Sequence, residues 1–209
     1  MISRALFSFL HIPVNHGIIH KNRRIFAMVV IPYPFLMAAI TCCWILFRIY
    51  RCFLQKKIIW MRELQLVLVY ICIVVIARFT FFPFSKVNGV VQPLIFDLER
   101  ALPFRINWIP LVNLLDYEIY NEGLLNVIGN IAMFIPVGII WPIVFRQLQT
   151  PEKAIAAGFG YSLCIEILQL PFYDRVSDVD DLILNTAGFA VGYLIYALTV
   201  AVIRLCRKK

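Results

Sequence analysis

Residues 124–145 read L-L-N-V-I-G-N-I-A-M-F-I-P-V-G-I-I-W-P-I-V-F, an apolar run without a charged side chain. A helix rises about 1.5 Å per residue, so roughly 20 such residues cross the ~30 Å hydrocarbon core of a bilayer. Runs of the same kind recur at about 25–47, 64–84, 154–172 and 182–203. A helix satisfies its own backbone in lipid, whereas barrel strands would alternate apolar with polar residues, and these runs do not. The expected fold is therefore all-α, a polytopic membrane helical bundle of about five transmembrane helices. The composition agrees: 62% of the 209 residues are hydrophobic and 15% charged. A soluble domain of this size needs more polar surface to cover its core.

The formal charge of +8 does not imply a nucleic-acid partner, because the basic residues sit between and beside the apolar runs, where anionic lipid head groups attract them. Arg48, Arg51, Lys56, Lys57 and Arg62 fill one connection, and Arg204, Arg207, Lys208 and Lys209 form the tail. The positive-inside rule assigns both, and the C-terminus, to the cytoplasm. Lys21, Arg23 and Arg24, on what should be the outer side, resist this orientation. A further dip of residues 5–19 would relieve the conflict. Trp44, Trp60, Trp108 and Trp141 fall near the expected ends of spans, as interfacial indoles should.

Pro13, Asn15 and Gly17 interrupt the N-terminal apolar stretch, and no small-residue cleavage site follows, so residues 1–24 read as an interfacial tail rather than a signal peptide. Its histidines, His11, His16 and His20, have no carboxylate or cysteine near them in sequence. The six cysteines form no C-x-x-C pair and read as small buried hydrophobes.

Residues 85–123 are too long for a structureless loop. Leu94, Ile95, Leu98 and Leu102 recur at helical spacing, which predicts a short amphipathic or re-entrant helix on the outer face. An N-W-I-P turn at 107–110 should then dip back toward the bundle. The organisation is an interfacial tail (1–24), an extra transmembrane helix with a basic cytoplasmic connection (25–63), a four-helix membrane domain (64–203) and a basic cytoplasmic tail (204–209).

The polar residues inside the spans carry the functional argument. Arg78 comes late in the second span, Asn126 and Asn130 early in the third, Glu166 and Gln169 late in the fourth, and Asn185 early in the fifth. Adjacent spans run antiparallel, so all of these lie toward the same side of the membrane. Asn126 and Asn130 share a helix face, as do Ser162, Glu166 and Gln169. Ser177 with Asp180 resembles a capping box at the start of the last helix. From there Asp178, Asp181 and Asn185 form one stripe that continues into Gly188 and Gly192, a small-x-x-x-small pair suited to close helix contact. An ionised carboxylate at mid-bilayer costs about 2.5–3.5 kcal/mol on insertion scales. Glu166 must then be paired, protonated or near water, and Arg78 or Arg175 could supply a bidentate partner.

Together with Asn107, these side chains outline a candidate ligand or lipid pocket: Arg78, Asn107, Asn126, Asn130, Glu166, Gln169, Arg175, Asp178, Asp181 and Asn185. A ligand-free interhelical clamp is the competing reading, although one pair would suffice for a clamp. No metal or cofactor is called for. A weaker alternative places a divalent ion on Asp178, Asp180 and Asp181.

At these residues the sequence resembles the VanZ-like family, named for a teicoplanin-resistance protein. The resemblance rests on R-F-T-F-F-P-F (78–84), N-W-I-P-L-V-N-L-L (107–115), N-V-I-G-N-I-A-M-F-I-P-V-G (126–138), E-I-L-Q (166–169) and R-V-S-D-V-D-D-L-I-L-N-T-A-G (175–188). It covers residues 64–203 and leaves the first span outside. It implies a protein of the bacterial cytoplasmic membrane whose polar face looks outward, with relatives that lower susceptibility to teicoplanin or related lipoglycopeptides. The resemblance brings no reaction with it. Three readings follow: a protein that binds an envelope lipid or a lipid-linked cell-wall intermediate, an intramembrane enzyme with Glu166 as general acid or base, and a transporter. The transporter is the weakest, because no inverted repeat is present.

Overall fold

The computed structural model describes residues 28–56, 58–82, 86–110 and 120–207. The N-terminal tail, its histidines and the Lys21–Arg24 cluster lie outside the described residues.

Among these residues the bundle consists of five long helices: α1 (Tyr33–Gln55), α2 (Trp60–Phe81), α4 (Tyr120–Val144), α5 (Pro151–Gln169) and α6 (Val179–Cys206). A single helical turn, α3 (Leu98–Ala101), lies between α2 and α4. Four of the five long helices are long and apolar enough to cross a membrane. The fifth, α5, carries Glu152, Lys153 and Glu166 in its 19 residues and packs against α6.

The first span begins later than hydropathy indicates. Pro32 precedes the helix and Pro34 sits in its first turn, where a fixed φ and a missing N–H are tolerated. Residues Val29–Ile31 before them form a strand, β1. At its far end α1 runs past Arg48 and Arg51 to Gln55 and stops at Lys56, which adopts φ 49°. No residue of α1 is buried.

The segment after α2 departs most from expectation. Leu94 and Ile95 are strand rather than helix: β4 (Leu94–Phe96) pairs antiparallel with β1, Val30 opposite Ile95. Strand pairing takes Leu94–Phe96, and the stretch left before Pro103 holds only one helical turn. Two-residue strands β2 (Lys86–Val87) and β3 (Val90–Val91) form a hairpin around Asn88 and Gly89, both at positive φ, as a tight two-residue turn requires. The N-W-I-P turn does return to the bundle: β5 (Ile106–Asn107) pairs in parallel with β6 (Ser177–Asp178) just ahead of α6. Tyr173 N to Ile95 O (3.0 Å) and Ser177 N to Arg105 O (3.0 Å) complete a backbone lacing between this segment and the α5–α6 connection.

The core lies where α6 meets α4 and α5. Phe134, Val137, Ala154 and Phe189 are fully enclosed there, with Ile76 of α2 beside them. Gly188 and Gly192 of α6 face the Ile131 and Ile135 carbonyls of α4, and Gly138 of α4 faces the Phe189 carbonyl, each too close to admit a Cβ. Without a hydrophobic drive between helices in lipid, such backbone approach supplies the packing. Trp141 is not interfacial: it packs inward against Tyr161 at 5.1 Å and Phe189 at 5.8 Å. Trp44 lies mid-helix against Tyr70. Of the cysteines, all free, only Cys72 is buried, because the others fall on outward helix faces or helix ends.

Candidate functional site

Four helix ends meet at one end of the bundle: the C-termini of α2 and α5 and the N-termini of α4 and α6. The last carbonyls of a helix have no partner within it, and the first N–H groups likewise. Much of the polar chemistry here closes those ends.

The end of α2 is closed from other elements. Gln169 Nε2 donates to Thr80 O at 2.7 Å, and Arg175 Nη2 to Phe81 O at 2.6 Å. Arg78 Nη1 reaches Phe82 O at 3.2 Å while its guanidinium lies over the Tyr33 and Phe79 rings at 5.3 and 5.4 Å. Cations at a helix C-terminus are also favoured by its dipole.

The start of α6 carries Asp180 and Asp181 in its first turn. Its N-cap is Asp178, whose Oδ1 accepts from Asp180 N at 2.9 Å. The Ser177 cap expected from sequence does not form, because that hydroxyl donates to Glu166 Oε2 at 2.9 Å. Asp178 N donates to the same oxygen at 2.9 Å. Glu166, 5% exposed, is thus held by a hydroxyl and a backbone amide. The expected arginine fork is not there, since both guanidinium groups turn to the α2 terminus.

Asp181 Oδ1 accepts from Asn130 Nδ2 at 2.5 Å and from Asn126 Nδ2 at 3.3 Å. Below it, Asn185 Nδ2 donates to Ser162 Oγ at 3.0 Å, tying α6 to α5. Asn107 Nδ2 donates to Asp178 Oδ2 at 3.1 Å, bringing the N-W-I-P turn onto the α6 cap.

These groups surround a cavity of about 170 Å³. Of the ten candidate residues, Asn126, Asn130, Glu166, Gln169, Arg175, Asp181 and Asn185 line it. Asn107 and Asp178 support its wall through hydrogen bonds. Arg78 stands apart, on Tyr33 and Phe79. Phe79, Thr80, Asp174 and Val176 complete the lining and were not among the ten candidates. Thr80 contributes a backbone carbonyl, which residue types do not reveal, although an unclosed helix end is itself a signal. A second cavity of about 410 Å³, lined by Gln92–Ile95, shares Asp174 and Arg175 with the first.

Two residues of the lining each carry a buried atom with no hydrogen-bond partner among the described residues: Arg175 Nε, a donor, and Asn185 Oδ1, an acceptor. Burial pushes the Arg175 guanidinium down from its ordinary pKa, with nearby Asp174 opposing the shift. The three aspartates do not converge as a metal site. Asp178 caps the helix and Asp181 takes the two asparagine amides, and no cluster able to hold a metal occurs among the described residues.

Fold and site together define a polytopic helical membrane protein with a small polar cavity at one end of its bundle. The VanZ/LLP1 family model matches residues 67–201, from early in α2 to late in α6, and the chain belongs to that family. No curated protein and no solved structure matches it.

Proposed function

We propose that this VanZ/LLP1-family protein binds the head group of an envelope lipid or lipid-linked cell-wall intermediate in the 170 Å³ cavity, and that the head group carries both an anionic group and a protonated amine. The single observation behind this is the orphaned pair. Arg175 Nε offers a donor to an anion, and Asn185 Oδ1 offers an acceptor to an ammonium. Glu166, Asp174 and Asp181 give the lining a surplus of negative charge for that ammonium. A buried polar atom left without a partner costs about 1–3 kcal/mol, so an occupant that completes both is favoured.

Size supports the head group. Pockets for drug-sized ligands run about 300–1,000 Å³. A glycopeptide antibiotic is far too large for this cavity, so any teicoplanin tolerance would arise through the lipid or wall intermediate rather than by sequestering the drug. The polar end faces outward in this reading, because Arg48, Arg51, Lys56, Arg62, Arg204 and Arg207 gather at the other end of the bundle and the positive-inside rule makes that end cytoplasmic. The membrane would be the bacterial cytoplasmic membrane.

Native mass spectrometry of the purified protein tests the reading. Lipids with aminated phosphate heads should be retained, and Arg175→Gln should weaken their retention more than that of lipids with phosphate alone. An equal loss of both classes in Arg175→Gln, or no loss of either, would overturn it.

A second reading, an intramembrane enzyme, has one observation in its favour. Glu166 lines the cavity, nearly enclosed, with no cation paired to it among the described residues. A carboxylate so placed could act as general acid or base on a lipid-linked substrate.

A further inference from the structure

At the opposite end of the bundle a second groove, about 490 Å³, opens between α1, α2 and α4. It exists because α1 leans on the bundle without burying a residue. Its walls are apolar, among them Phe47, Leu66, Val69 and Ile73, and its rim carries Arg48, Arg51 and Arg62. Gln55 is the one polar lining residue besides these, and no carboxylate lines the groove.

The three arginines differ in what they already hold. Arg48 pairs with Glu63, its Nε 3.0 Å from Oε2. Arg62 donates to the Val144 carbonyl at the end of α4 and lies over the Phe145 ring at 5.6 Å. Arg51 is exposed and has no hydrogen bond or ion pair among the described residues. Trp141 also lines the groove, and its buried Nε1 has no hydrogen-bond partner among the described residues. From Arg51 to the level of Trp44 the groove descends about 10 Å along α1, toward the bilayer centre.

We propose that this groove holds one anionic phospholipid of the adjacent leaflet. Its phosphate would meet Arg51 and the free face of Arg62, and its upper acyl chain would lie on the apolar walls. The ester region would reach down toward Trp141 Nε1. The rim offers donors and net positive charge, so its complement is an acceptor-rich anion. The walls demand hydrocarbon attached to that anion, which excludes free phosphate. Basic pockets between transmembrane helices select anionic lipids for these reasons. This site is independent of the cavity at the other end.

The test is native mass spectrometry of the full chain from nanodiscs of equal phosphatidylglycerol and phosphatidylethanolamine. The wild type should carry one tightly held phosphatidylglycerol. Arg51→Gln, on an exposed face that leaves folding intact, should reduce its preference over phosphatidylethanolamine about fivefold, equivalent to ~1 kcal/mol per arginine. Trp141→Phe, which keeps an aromatic side chain but removes the N–H together with the five-membered ring, should weaken retention further. Arg207→Gln, a basic residue outside the groove, should change nothing. Absence of a tightly held phosphatidylglycerol in the wild type, undiminished phosphatidylglycerol retention in Arg51→Gln, or an equal loss in Arg207→Gln would each overturn the proposal. So would a second copy of the chain, rather than lipid, covering α1 in the spectra.

Discussion

Asn130 of α4 places its side-chain amide 2.5 Å from the Asp181 carboxylate of α6, so the two most closely packed helices are also joined by a charge-assisted hydrogen bond. Polar contacts between membrane helices average about 0.6 kcal/mol and reach ~1.7. This one, with an ionised acceptor, should lie at the upper end. An Asn130→Ala/Asp181→Ala double-mutant cycle on the reconstituted protein is expected to return a coupling of about 1–2 kcal/mol. Strict additivity would mean the contact does not hold the helices.

Below that bond the packing depends on missing side chains. Gly192→Ala would drive a Cβ into the Ile135 carbonyl and should cost about 1–3 kcal/mol in resistance to unfolding. Gly160→Ala, with no atom within 4 Å of the new methyl, is the control. It should be neutral, or stabilising by up to ~1 kcal/mol through helix propensity. Similar losses for both would show that glycine is needed for something other than close approach.

Gln169 closes the Thr80 carbonyl. Gln169→Met keeps the length and apolar stem but removes the donor, leaving a partly buried carbonyl unsatisfied at about 1–3 kcal/mol. Thermal unfolding in detergent should register that as a lower midpoint, while helix content at low temperature stays at the wild-type value.

Glu166→Gln separates the two functional readings. The glutamine carbonyl can still accept from Ser177 Oγ and Asp178 N, so membrane levels should match the wild type. If the protein binds a head group, lipid retention and any effect on teicoplanin susceptibility should largely survive. Loss of the susceptibility effect with lipid retention intact would favour the enzyme.

Much of this architecture is legible in hydropathy, because a bilayer imposes length and apolarity on every span. The convergence of polar groups at one end also follows from alternating span direction, which is why Asn126, Asn130, Glu166, Gln169, Asp181 and Asn185 could be brought together without coordinates. What the pattern misses is short-range. The prolines at 32 and 34 outweigh the hydropathy that carries the first span back to residue 25. Leu94 and Ile95 sit at helical spacing yet pair as strand, because a partner strand at Val29–Ile31 is remote in sequence. The hairpin at 86–91 follows from the Asn88–Gly89 pair, a local turn signal that the expectation of a helix farther along does not address. Arg78 and Arg175 each donate to a backbone carbonyl at the end of α2, an acceptor that carries no residue signature, so residue types alone favour a fork to Glu166 that does not form.

Gln169 and Arg175 serve two surfaces at once: they finish the last turn of α2 and they line the cavity. Whatever enters and draws Arg175 toward itself competes with the Phe81 carbonyl for the same guanidinium. Occupancy is thereby written into the fraying of a helix terminus, and hydrogen–deuterium exchange along the final residues of α2 becomes a built-in gauge of whether the chamber is filled.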